Sequence, residues 1–170
     1  MKLKNLSKMV ITAVATMVIF GCGGGGGGSN SPSAPVVPKA VVTVGLTGVL
    51  NPEQLIGSVV FVLNLPAGVT AQTKPAPAPA GEIADTVLVL TGTAVGGTAS
   101  GNYTAASGSI EIIIVKVAGF STGNFVTLNL DYTGADPVSS GFSITGLTAF
   151  DAGNVSITTL TPGLTLQVIK

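Results

Sequence analysis

The chain of 170 residues carries seven lysines, seven acids and no arginine, histidine or tryptophan, so its formal charge is zero and charged residues make up only 8%. Imidazole acid–base chemistry, zinc held by histidine and arginine clamps on phosphate are excluded by residue type. With no basic patch, nucleic acid is a poor partner.

Lys2, Lys4 and Lys8 open the chain, and residues 9–20 come next without a charge. That run of ~12 residues is too short for a hydrocarbon core, which takes ~20 in a helix, but it has the make-up of a secretory leader. It ends at Ile19-Phe20-Gly21-Cys22, and Cys22 is the only cysteine, so no internal disulfide is available. These four residues resemble the lipobox of bacterial lipoproteins, with a branched apolar residue three before the cysteine and a small one immediately before it. Phe20 is bulkier than the residue usual at its place. The resemblance implies a leader over 1–21 that is cut before Cys22, diacylglycerol on the Cys22 sulfur, and acylation of the new amino group by a palmitate-type chain. Two or more chains are what stable anchoring takes. The implied location is the cell envelope, and Gly23 after the cysteine is compatible with the outer membrane.

Residues 22–39 read as a tether. Gly23 to Gly28 form a flexible coil, and Pro32, Pro35 and Pro38 stiffen the second half into extended chain. The glycine run lacks the lysine and hydroxyl residue of a phosphate loop. Beyond the leader, four lysines (Lys39, Lys74, Lys116, Lys170) stand against seven acids, a formal charge of minus three.

Residues 40–170 read as one domain of strands and turns. Expected strands are 41–49, the apolar run 57–65, 85–94, 109–118 with Ile110, Ile112 and Ile114 on one face, 124–132, 155–159 and 164–169. In 124–132, Val126, Leu128, Leu130 and Tyr132 point one way and Thr127, Asn129 and Asp131 the other. In the last, Leu164, Leu166 and Val168 alternate with Thr165 and Gln167. Short β-branched strands separated by Gly, Asn, Asp or Pro, with no helical period after the leader, predict an all-β sandwich or barrel. Two stretches interrupt the pattern. Residues 74–81, with proline at every second position, must be an exposed loop, and the small, polar stretch 95–108 is expected to be another.

The candidates for ligand binding lie in these interruptions and in the late turn. Tyr103, in the polar stretch, is the best exposed aromatic for a sugar, because the remaining rings fall in apolar alternation. Asp151 and Asn154, with Asp131 or Asp136, offer oxygens of the kind calcium takes. However, Asp-Ala-Gly-Asn is also a good turn on backbone grounds, and the turn is the favoured reading. No cofactor is expected. Glu82 with Asp85, and Asp131 with Asp136, evoke paired carboxylates for glycoside hydrolysis. Nothing fixes their separation, no histidine activates a serine or threonine, and a non-catalytic protein is expected.

The run 57–69 (Gly-Ser-Val-Val-Phe-Val-Leu-Asn-Leu-Pro-Ala-Gly-Val) resembles the early strand and turn of cohesin-type domains. Residues 109–120 and then 123–130 are similar to their central strand pair, and 144–155, with Phe150-Asp151-Ala152-Gly153-Asn154, to their late Asp and Gly rich turn. The resemblance implies a jelly-roll sandwich of about eight or nine strands, in the superfamily of several carbohydrate-binding modules. It further implies a lipid-anchored envelope module that binds a protein, such as a dockerin, or a polysaccharide. The alternative is a structural envelope lipoprotein that self-associates, for example by pairing sheet edges. No separate second strand is visible between Val49 and Gly57.

Overall fold

Valine, isoleucine and threonine favour extended backbone because a branched Cβ packs well on a pleated surface. In the computed structural model, which describes residues 37–170, they build an all-β sandwich; the expectations for the leader, Cys22 and most of the tether lie outside the described residues. Nine strands are present among those residues: β1 (Lys39–Thr47), β2 (Ile56–Asn64), β3 (Val69–Thr70), β4 (Leu88–Leu90), β5 (Thr98–Thr104), β6 (Ser109–Phe120), β7 (Gly123–Tyr132), β8 (Ser143–Asp151) and β9 (Thr161–Ile169). One sheet runs β3-β7-β1-β9 with β4 also paired to β7, the other β5-β6-β2-β8, and every pairing is antiparallel.

Alternation fixes which side of each sheet is the core. Ala40, Val42, Val44 and Leu46 of β1 turn inward, as do Val59, Phe61 and Leu63 of β2 and Ile110, Ile112 and Ile114 of β6, and all are buried. On β7 the expected Val126, Leu128, Leu130 and Tyr132 are buried, and so is Phe125. Phe125 is an extra residue. Val44 pairs with Val126 and Gly45 with Asn124, so a bulge lets two consecutive side chains enter the core.

Three expectations are corrected and one strand is added. The stretch 95–108 is not a loop: β5 pairs all seven of its residues with β6. Its central inward position is glycine for a reason of packing, since a Cβ at Gly101 would lie 2.4 Å from Ile83 Cδ1. The strand expected over 85–94 shrinks to three residues, because the chain turns at a 3-10 segment, Gly92–Ala94. Residues 155–159 form no strand and only one bridge, Phe150 to Ser156. Conversely, Ser143–Asp151 is a full strand beside β2.

Gly92 makes that 3-10 turn possible. It holds φ at +52°, and an added Cβ would sit 2.2 Å from the Asn124 carbonyl oxygen. Gly92→Ala is therefore expected to destabilise by more than about 1 kcal/mol. The check is a lowered denaturation midpoint, and an unchanged midpoint would mean that the turn re-forms in another shape.

Candidate functional site

The outward positions of β5, β6, β2 and β8 fall into registered rows. Thr98, Val115, Ser58 and Phe150 form one, Ser100, Ile113, Val60 and Thr148 the next, and Asn102, Glu111, Val62 and Thr145 a third. The two central strands thus bring Ile113, Val115, Val60 and Val62 together, and the flanking strands surround them largely with hydroxyls and amides. Ile113 is 41% exposed and Val115 44%, while Val117 at the bulged end of β6 is 93% exposed. A contiguous apolar stripe rimmed by polar groups is the usual mark of an interaction surface.

Clefts mark both ends of this face. At the β5 margin, a cleft of about 260 Å³ is lined by Pro79, Glu82, Asn102, Glu111 and Ile113. At the other end, one of about 240 Å³ is lined by Ser58, Val115, Val117, Asp151 and Asn154. The face's opposite number, the outer side of the β1 sheet, is different in character. There Thr127, Thr43 and Thr165 lie in register across three strands, and Lys39 pairs with Asp131.

The residues singled out by sequence have distinct fates. Tyr103 faces inward, opposite Ile110, and packs partly buried against the core. It is no exposed platform. Asp151 and Asn154 do come together, in the turn after β8. Asp151 Oδ1 accepts the N–H groups of Gly153 and Val155, each at 2.9 Å, and Oδ2 accepts the Gln54 amide at 3.4 Å. Asn154 takes φ +63°, a conformation asparagine tolerates. The turn's own hydrogen bonds account for both residues.

The carboxylate pairs are spoken for by lysines. Lys74 Nζ lies 2.8 Å from Glu82 and 2.7 Å from Asp85. Those bonds, to Asp85 first and Glu82 second, raise the Lys74 ammonium well above its ordinary range. Asp131 is held by Lys39 and by Gln72 at 2.8 Å. Asp136 bonds Lys170 at 2.8 Å and Tyr132 at 2.9 Å. Lys170, and then Tyr132, hold its carboxyl below the usual value, while burial foremost pushes the Tyr132 phenol up. Neither expected pair faces a shared cleft as two free acids. Glu111, by contrast, is exposed and has no ion-pair partner among the described residues.

The N–H of Val155, foremost, holds the Asp151 carboxyl below its ordinary 3.8, with the Gln54 and Gly153 bonds adding and burial opposing. A depressed folded value contributes stability that is fully present above the unfolded value, near about pH 4. That stability is lost as pH falls through the folded value. Asp151→Asn is expected to flatten this acid limb in thermal melts taken from about pH 7 down to about pH 2. Superimposable limbs for the two proteins would show that the turn does not depend on the charge.

The outward stripe is half legible in the sequence. Ile113 and Val115 alternate with the inward isoleucines, so their exposure follows from the period of two. Val60 and Val62 sit in an unbroken apolar run that hides which face is outward. Comparison with protein-family models, curated proteins and solved structures yields no match.

Proposed function

We propose that this chain is a non-catalytic, lipid-anchored binding module of the cell envelope, held through Cys22 and gripping a protein partner with the outer face of β5-β6-β2-β8. The observation that carries the reading is the apolar stripe of Ile113, Val115, Val60 and Val62, side by side on two paired strands and flanked in register mostly by hydroxyls and amides. Fully burying an exposed aliphatic side chain contributes about 1.5–3 kcal/mol; Ile113 at 41% and Val115 at 44% exposure retain under half of that each, and the half-buried Val60 and Val62 add to the contact area. A protein is favoured over a polysaccharide because sugar platforms present several aromatic rings, and here Phe61, Phe120, Phe125, Tyr132 and Phe142 are buried, Tyr103 faces inward, and the half-buried Phe150 is the single ring on the outer face.

The cohesin-like, jelly-roll reading draws support from topology. Nine strands match the number that the resemblance implies, and the chain passes from one sheet to the other at six of its eight strand-to-strand connections. Repeated crossing between two packed sheets is the habit of jelly rolls and Greek keys.

Two experiments test the proposal. Labelled palmitate should enter the wild-type chain and not Cys22→Ala; incorporation in both would remove the anchor. Retention of an envelope protein by the full chain should be lost in Ile113→Asp and kept in Thr43→Asp, which alters the opposite sheet. Equal retention by both variants would sink the docking face.

A further inference from the structure

Open sheet edges invite further strands, and proteins close them by shortening, bulging or covering. Three of the four edges here are closed. Beside β7 stand only β3, of two residues, and β4, of three. Along β5, the Ile83 N–H donates to the Gly101 carbonyl at 3.1 Å and the Tyr103 N–H to the Gly81 carbonyl at 2.7 Å. Opposite β2, β8 is bulged between the partners of Val60 and Val62, and the Ile157 N–H covers its end by donating to the Ala149 carbonyl at 2.8 Å.

The fourth edge, β9, is neither short, bulged nor covered by a backbone bond among the described residues, and Pro162 near its start is the one edge-blocking residue it carries. Its nine residues pair with β1 without a register break, contain no charge, and make no backbone bond on their other side among the described residues. Its inward Leu164, Leu166 and Val168 stay partly open, whereas Val42 and Val44 beside them are fully buried.

We propose that β9 pairs antiparallel with β9 of a second copy, joining two sheets into one across a two-fold axis. Keeping both cores on the same side requires that inward residues oppose inward residues. The register that meets this condition and overlaps all nine residues is centred on Thr165. It sets Leu164 opposite Leu166 of the second copy and Gly163 opposite Gln167, so apolar meets apolar and no like charges face. An isologous contact needs such a self-complementary pattern. The chain's own tether is the poorer occupant, because Pro32, Pro35 and Pro38 remove three donors from it, whereas β9 has a single proline at its second residue.

Backbone parity agrees. The Tyr132 N–H donates to the Pro38 carbonyl at 3.4 Å, so even-numbered residues of β1 bond β7 and odd-numbered ones bond β9. On β9 this leaves the backbone groups of Pro162, Leu164, Leu166 and Val168 pointing outward; Pro162 accepts but cannot donate, so its pair with Val168 of the second copy makes one bond where the Leu164–Leu166 pairs make two. Thr165 then meets its counterpart in a non-hydrogen-bonded pair, with Cα atoms about 4.5 Å apart, a separation that a disulfide spans.

The test uses the full chain in its membrane. On mild oxidation, Thr165→Cys should run on a non-reducing gel chiefly as a dimer. Wild type, whose only cysteine is Cys22, and Thr98→Cys, on the edge of the other sheet, should stay monomeric. Adding Leu166→Pro to Thr165→Cys should abolish the dimer, with protease resistance reporting that the domain remains folded. A folded Thr165→Cys protein that stays monomeric would overturn the proposal. So would equal dimer from Thr98→Cys, which would mean random collision, or a cross-link to a different protein.

Discussion

Phe125→Ala is expected to cost the domain about 3–5 kcal/mol, the top of the range for truncations that keep the core apolar. The ring is fully buried, lies 5.9 Å from Phe61 in an edge-on contact at 81°, and stacks on Phe120 at 6.0 Å. Phe61 belongs to β2 and Phe125 to β7, so this contact joins the two sheets. Truncation removes the buried area, leaves a cavity that two other rings must close, and forfeits an aromatic pair contributing about 0.5–1.5 kcal/mol beyond area. The backbone is spared, because the Phe125 carbonyl still accepts the Thr91 N–H at 3.0 Å. Against a total of about 5–15 kcal/mol, such a loss takes a fifth or more. Chemical denaturation should show a lower midpoint at unchanged slope. A loss under about 1 kcal/mol would mean that the sheets are held together elsewhere.

Phe125 also shows how far the sequence carries. Alternation along 124–132 places Val126, Leu128, Leu130 and Tyr132 inside, as observed, yet the same rule puts Phe125 outside. The bulge that reverses it depends on how β7 meets Val44 and Gly45, residues about eighty positions away. β5 is hidden for a similar reason. Thr, Ala, Ser, Gly and Asn look like loop residues locally, but β6 supplies the ladder and Ile83 occupies the space over Gly101. Tertiary context overrides weak β-propensity in this way. The all-β class is legible because alternation and turn residues recur through most of the chain. The docking face is not, because β2 is apolar on both sides and the Thr and Gly residues of β8 mask its strand character.

Ile112→Asp and Ile113→Asp, neighbours on β6, are expected to fail in opposite ways. Ile112 is fully buried and sits in register between Phe61 and Gly101. A carboxylate there has no partner and no water, a penalty of several kcal/mol even after relaxation, so Ile112→Asp should be unfolded or recovered only in trace. Ile113 is 41% exposed, between Val60 and Ser100, and a carboxylate there reaches solvent. Its melting temperature should stay within a few degrees of wild type, since surface changes usually fall within about 0.5 kcal/mol. The same substitution sets a second negative charge beside Glu111 in the centre of the stripe. It should weaken partner capture by more than about tenfold, the equivalent of ~1.4 kcal/mol. Thermal melts and a binding titration on the two proteins separate the possibilities. If Ile113→Asp also unfolds, that face is packed rather than free. If it folds and binds as wild type does, the partner docks elsewhere and the stripe is merely exposed.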